Sequence, residues 1–148
     1  MGLFGPKRHT DRMGDVSEAA IITSLLQAGY VVLTPYGKQH RYDLVIEDAD
    51  EQFWRIQCKT AWVEQDSASI GFNVASSHYS YTNSKNIGVH KRQYYRGQIE
   101  YFAVYCETLD KVYLIPVADV GIAHARLRLT PTKNNQEKNV RWAKDYEL

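Results

Sequence analysis

The sequence predicts an α/β fold in which a helix packs against a central mixed β-sheet. Two observations carry this prediction: apolar residues recur at helical spacing between residues 16 and 28, and short apolar runs follow at 30–33, 42–46, 53–59, 99–107 and 111–117. The chain has 148 residues, 44% of them hydrophobic, which is enough for one globular domain with its own core. A single domain spanning residues 1–148 is the simplest organisation.

The first element is predicted to be a helix from Val16 to Ala28. Asp15 is a suitable N-cap, and Glu18 follows at the spacing of a capping box. Gly29 supplies the signal that ends the helix. Residues 1–13 are polar, contain glycine and proline, and are predicted to form a loose arm.

The strands are predicted to form two hairpins. The runs 42–46 and 53–59 are joined by an acidic turn, and the runs 99–107 and 111–117 are joined by Thr108, Leu109 and Asp110. Between the hairpins, Ile70, Phe72 and Val74 alternate as in a half-exposed strand, and the rest of residues 63–96 is predicted to be long loops. A short helix is expected near Val117, and the pattern of the polar tail predicts no particular element.

Charge and cysteine content set broad limits on function. The net charge is +1, and the basic residues cluster along the chain, which permits a basic face without requiring one. Cys58 and Cys106 show no zinc or disulfide spacing, so a reducing cytoplasm is expected. No apolar stretch approaches the ~18 residues of a spanning helix, so no membrane association is expected.

The first hairpin concentrates polar groups on one face. If Leu44 lies opposite Ile56, and Ile46 opposite Trp54, then Asp43 lies opposite Gln57 and diagonally from Lys59. A carboxylate can hold a hard divalent cation, and an ammonium group can orient a water molecule and offset phosphate charge. This combination is suited to phosphodiester hydrolysis.

The order of these segments resembles a known family of nucleases. The segments are Gly14–Glu18, Gly29–Leu33, Arg41–Val45, Arg55–Ala61, Tyr101–Tyr105 and Tyr113–Val117. Together they resemble the PD-(D/E)XK nuclease superfamily, in the branch that includes group I intron homing endonucleases of cyanobacteria. The resemblance covers about residues 14 to 117, and it implies a restriction-endonuclease-like core whose central sheet is flanked by helices.

The resemblance also implies roles for five residues. Asp43 and Glu18 would ligate Mg²⁺ (or Mn²⁺) together with the backbone carbonyl of Cys58, Gln57 would occupy the second acidic position, and Lys59 would serve the attacking water. The sequence departs from the family pattern because Gln57 is uncharged and no proline precedes Asp43.

Each of these residues also has an ordinary structural interpretation. Glu18 could close a capping box with Asp15, and Asp43 could be a solvated residue or a partner of Arg41. Lys59 could be a charge that prevents an edge strand from pairing with another chain. Gln57 could form a structural hydrogen bond.

Residues 67–96 are predicted to be an insertion that reads double-stranded DNA, because they are rich in hydrogen-bonding and basic side chains. A flexible surface loop is the alternative. The predicted DNA-binding residues are Lys38, His40, Arg41, Asn73, Ser76, Ser77, His78, Tyr79, Tyr81, Asn83, Lys85, Asn86, Lys91 and Arg92.

The resulting expectation is a Mg²⁺-dependent, site-specific DNA endonuclease that cuts both strands, encoded by an intron and acting as a homodimer or homotetramer. Two alternatives stay open. One is a structure-selective nuclease such as a Holliday junction resolvase, and the other is a DNA-binding relative that has lost catalysis.

Overall fold

The computed structural model describes residues 10–82 and 87–148 of the chain. Within these ranges the chain forms one α-helix, nine strands and two short 3-10 helices. The elements are α1 (Thr10–Gln27), β1 (Val31–Leu33), β2 (Leu44–Glu47), β3 (Phe53–Val63), β4 (Ser69–Asn73), β5 (Ala75–Thr82), β6 (Ile87–Tyr94), β7 (Tyr101–Cys106), β8 (Lys111–Pro116), the 3-10 helix Val117–Asp119, β9 (His124–Arg128) and the 3-10 helix Ala143–Asp145.

Helix α1 begins at Thr10, six residues before the predicted start at Val16. The predictions of a loose arm reaching residue 13 and of an N-cap at Asp15 were therefore wrong, and residues 1–9 lie outside the described residues. Residues 12–16 of the helix are mostly solvent-exposed, so they need no apolar residues and give no amphipathic signal. Gly29 ends the helix as predicted, with φ 95°.

Strand β3 is the centre of a mixed sheet. It pairs with β2 in the predicted antiparallel register, with Leu44 opposite Ile56 and Ile46 opposite Trp54. On its other edge it pairs in parallel with β7, which continues antiparallel into β8. This arrangement confirms the predicted α/β fold with a central mixed sheet.

Apolar side chains pack on both faces of the sheet. On one face, Ile21 and Leu25 of α1 pack against Leu44 and Ile56. The core on the opposite face includes Phe72, Phe102, Tyr95, Tyr113 and Leu127. None of the described helices is both long and apolar enough to cross a membrane.

Strand β4 is buried over Ser69–Phe72, so the prediction of a half-exposed strand was wrong. Its neighbours β3 and β9 cover both of its edges, which leaves little of the strand in contact with solvent. Gly71 accommodates this packing, because a Cβ atom there would lie 2.3 Å from a carboxylate oxygen of Glu64.

Strands β5 and β6 form a two-stranded antiparallel sheet, which we call the β-ribbon. The prediction of long loops was wrong over these strands. Their polar sequences contain no apolar alternation that would predict strands, and their backbone groups pair with each other. Residues 83–86 at its tip lie outside the described residues.

Candidate active site

The candidate site lies at a gap in the pairing of β3. Strand β2 pairs with residues 53–56 and β4 with residues 62–63, so neither strand covers residues 57–61. We call this segment the open edge of β3. Backbone groups on an uncovered strand edge can bind side chains, water or ions.

Asp43 lies just before β2 and closes part of this edge. Its backbone N–H donates to the carbonyl of Ile56 at 2.8 Å, and its Oδ2 atom accepts the backbone N–H of Cys58 at 2.8 Å. Burial raises the pKa of Asp43 above its ordinary value, although the Cys58 N–H and the charge of Lys59 oppose the rise. The carboxylate is therefore fixed in place but poorly solvated.

Glu18 approaches the same edge from α1. The helix begins eight residues earlier, so Glu18 does not close a capping box, and that interpretation was wrong. Ser17 holds this turn against β3 through a 2.6 Å hydrogen bond between its hydroxyl and that of Thr60. Burial, followed by the negative charges of Asp43 and Asp15, raises the pKa of Glu18.

Cys58 contributes its backbone rather than its thiol. Along a strand the N–H and C=O of one residue point to the same edge, so the Cys58 carbonyl shares the open edge with the N–H bound by Asp43. Burial raises the thiol pKa, with further increases from the charges of Asp43 and Glu18. The thiol therefore stays protonated at neutral pH.

Lys59 and Gln57 project from the same face of β3, because alternate residues of a strand share a face. Lys59 Nζ lies 3.3 Å from the hydroxyl of Tyr95 and 4.8 Å from the centre of its ring. Both residues are half-buried. The structure thus brings together the predicted residues Glu18, Asp43, Cys58 and Lys59, with Gln57 adjacent.

The donor atoms at the open edge fit a hard divalent cation. Two carboxylates and a peptide carbonyl are oxygen ligands of the kind Mg²⁺ and Mn²⁺ prefer, and Mg²⁺ commonly keeps several waters besides one or two carboxylates. The negative charge of Asp43 disfavours the ionised form of Glu18, and a bound cation would offset this repulsion. Among the described residues, no group of three or more His, Cys, Asp and Glu side chains is arranged to hold a metal ion.

Arg41 connects this site with the root of the β-ribbon, the paired residues 75–76 and 93–94 where β5 begins and β6 ends. Its guanidinium donates to Gln98 Oε1 at 2.6 Å, to Ser76 Oγ at 2.9 Å and to the carbonyl of Tyr94 at 3.2 Å. It also lies 4.1 Å from the centre of the Tyr95 ring. Arg41, which was predicted to bind DNA, therefore makes its contacts within the protein.

The other predicted DNA-binding residues lie in the loop between β1 and β2, at the end of β4 and in or next to the β-ribbon. Lys38 and Asn73 are exposed, and exposed His40 contacts the Tyr36 carbonyl through Nε2 at 2.7 Å. Ser77, His78, Tyr79, Tyr81, Lys91 and Arg92 lie on the strands of the β-ribbon, whereas Asn83, Lys85 and Asn86 lie outside the described residues.

Comparison with known proteins decides the family. The family model described as PD-(D/E)XK endonuclease matches residues 8–148. The chain belongs to this family. It is therefore a nuclease of the PD-(D/E)XK type, and DNA is the substrate this membership implies.

A solved structure gives independent support for the fold. The chain resembles the bacterial homing endonuclease I-Ssp6803I with a TM-score of 0.68 and 24% sequence identity. The match covers 95% of this chain and 89% of that one. A search of curated proteins found no match.

Within the PD-(D/E)XK pattern, two positions of the chain are unusual. Gln57 stands where the family has an acid, and Tyr42 precedes Asp43 where the family has a proline. Two features of the site have no signal in the sequence: the Tyr95 hydroxyl beside Lys59 and the hydrogen bond between Ser17 and Thr60. Both join residues more than 30 positions apart, so only the tertiary fold reveals them.

Proposed function

We propose that the chain is a Mg²⁺-dependent (or Mn²⁺-dependent), site-specific endonuclease that hydrolyses phosphodiester bonds in both strands of DNA. The observation that carries this proposal is the meeting of Asp43, Glu18 and the Cys58 carbonyl at the open edge, with Lys59 beside them. These groups supply oxygen ligands and a positive charge within one small region.

In this proposal Asp43, Glu18 and the Cys58 carbonyl would hold the cation. A bound divalent cation polarises a phosphate oxygen and lowers the pKa of a bound water. Lys59 orients the attacking water and offsets the negative charge that develops on the phosphate. The hydrogen bond from the Cys58 N–H to one oxygen of Asp43 holds this carboxylate beside the open edge.

The β-ribbon is the proposed DNA reader. A two-stranded ribbon fits the major groove, where polar side chains can distinguish base pairs. Its root contacts Arg41, two residues from Asp43, so the reading element adjoins the cleaving element. This adjacency favours a sequence-restricted enzyme, and an intron-encoded homing endonuclease is the most specific form of the proposal.

The proposed assembly is a homodimer or homotetramer. The described part of the chain contains one candidate site, and symmetric assembly of identical chains is the simplest way to place a second site on the opposite strand.

The test is cleavage of a library of random and intron-flanking duplexes and of a four-way junction, by wild type and Lys59→Ala. Reactions contain Mg²⁺ or EDTA. Mg²⁺-dependent cuts at restricted sequences that disappear in the variant are expected. Cutting confined to the junction would instead identify a junction resolvase and contradict the proposed specificity.

A second candidate function is DNA binding without catalysis, and Gln57 favours it because an amide is a weaker ligand for a hard cation than a carboxylate. Retained duplex binding with no cutting in any reaction would support this function. Cutting that is lost in Lys59→Ala while duplex binding is kept would exclude it.

A further inference from the structure

Tyr95 contacts Lys59 and can fix the position of its ammonium group. It follows the last residue of β6, so its backbone continues directly from the root of the β-ribbon. Its side chain is only 4% exposed and packs edge-on against Phe102, with ring centres 5.6 Å apart. A ring held in the core in this way presents its hydroxyl at a fixed place, 3.3 Å from Lys59 Nζ.

Arg41, in the loop that precedes β2, contacts the same Tyr95 ring. Its guanidinium lies 4.1 Å from the Tyr95 ring centre, a distance typical of a cation–π contact. Its N–H groups donate to Ser76 and the Tyr94 carbonyl at the β-ribbon root, and also to Gln98. Because Arg41 is two residues before Asp43, a shift of the β-ribbon root would move both the Asp43 segment and the Tyr95 ring.

We propose that Tyr95 and Arg41 are positioning residues that couple the seating of the β-ribbon to the placement of Lys59. Tyr95 fixes the ammonium group through its hydroxyl, and Arg41 fixes Tyr95 together with the ribbon root. This inference rests on the proposed function, in which the β-ribbon contacts DNA and Lys59 serves the cleavage step. Neither residue is required to touch the substrate.

The variants Tyr95→Phe and Arg41→Lys test the coupling with little disturbance of packing. Tyr95→Phe keeps the ring and removes only the hydroxyl, whereas Arg41→Lys keeps the charge and removes the planar group that reaches several acceptors. Tyr146→Phe is the matched control for the hydroxyl, because Tyr146 donates to Asp119 at 2.9 Å. Arg128→Lys is the control for the guanidinium, because Arg128 donates to the carbonyls of Thr130 and Pro131.

The first readout is single-turnover cleavage beside duplex affinity measured in Ca²⁺. Tyr95→Phe is expected to slow cleavage about tenfold and to change the dissociation constant less than twofold, as expected for an interaction needed in the transition state rather than in binding. Arg41→Lys should slow cleavage by at least as much. The double variant should be no slower than the slower single variant, because both act through one contact. Wild-type rates in either Tyr95→Phe or Arg41→Lys would overturn the proposal.

The second readout does not need cleavage. In protein containing ¹³C,¹⁵N-lysine, the Cε–Nζ correlation of Lys59 is assigned by its loss in Lys59→Arg. In the wild type it should lie away from the solvated-lysine position, and it should move toward that position in Tyr95→Phe and Arg41→Lys but not in the two controls. A wild-type signal at the solvated position would overturn the coupling even if the protein cuts DNA. A shifted signal that responds to both variants would support the coupling even if no substrate is cut, and the proposed function alone would then fail.

Discussion

Asp43 and Glu18, the proposed cation ligands, are carboxylates whose ionised forms destabilise the metal-free fold. Burial raises both pKa values, and the charge of Asp43 raises the pKa of Glu18 further, so the ionised carboxylates are less favourable in the folded chain than in the unfolded chain. At neutral pH this difference destabilises the folded state. As the pH falls through the raised pKa values the carboxylates take up protons, and the destabilisation disappears.

Replacing Asp43 with an uncharged isostere should therefore raise stability in the absence of metal. Asp43→Asn is expected to raise the melting temperature at pH 7 in EDTA, because the amide oxygen can still accept the Cys58 N–H. This rise in melting temperature over wild type should become smaller as the pH falls toward 4, because Asp43 of the wild type then takes up a proton. Thermal unfolding in EDTA measures both effects. Asp50→Asn in the exposed turn after β2 is the control, and an equal rise in that variant would contradict the explanation.

The same variant should lose its response to Mg²⁺. A ligand at ten times its dissociation constant stabilises a protein by about 1.4 kcal/mol, which corresponds to a rise of about 4 °C for a domain of this size. Wild type should show such a rise, and Asp43→Asn should show none. An undiminished rise in the variant would place the cation elsewhere.

Gln57 offers the complementary change. Gln57→Glu supplies the acid that other PD-(D/E)XK nucleases carry here, on the same face of β3 as Lys59. One additional ionised ligand should tighten Mg²⁺ binding on the order of tenfold, equivalent to about 1.4 kcal/mol. Titration calorimetry with Mg²⁺ measures the change. Gln52→Glu, in the exposed turn before β3, is the control, and unchanged affinity in Gln57→Glu would show that position 57 does not face the ion.

At the scale of single elements, the predictable parts were those with a buried face. Leu44 and Ile56 had to face the same core, so alternation alone fixed the pairing of β2 with β3. The start of α1 and the β-ribbon have no apolar alternation in their sequences and were mispredicted. The same reasoning explains the site: Asp43 and Lys59 followed from strand alternation, but the contact of Lys59 with Tyr95 depends on how distant segments pack.

Helix α1 contains a glycine that its surroundings do not require. Gly14 lies inside the helix, and a Cβ atom built there would meet nothing within 4 Å. Gly14→Ala should therefore raise the free energy of unfolding by about 0.5–1 kcal/mol, because alanine loses less backbone entropy in a helix. Urea unfolding measures the change. Ala19→Gly, at an exposed position of the same helix, should lower stability by a similar amount, and a loss in Gly14→Ala would mean that the helix starts later than Thr10.

At the scale of the whole molecule, the proposed double-strand cut is most simply made by more than one chain. In the proposed assembly each chain would contribute one open edge of β3 with one Lys59, and each site would cut one strand. A symmetric pair presents the same site to each strand. The number of active Lys59 residues in an assembly should therefore determine whether DNA is cut or only nicked.

Co-expression of wild type with equal amounts of Lys59→Ala tests this expectation. If pairing is random, roughly half of the two-chain assemblies carry one active site, and these should nick a supercoiled target plasmid without linearising it. Mixed assemblies isolated through two different affinity tags should yield open-circular DNA almost exclusively, while wild-type assemblies yield linear DNA. If mixed assemblies linearise the plasmid as efficiently as wild type, one site serves both strands in turn, and symmetry is then needed for reading the target rather than for cutting it.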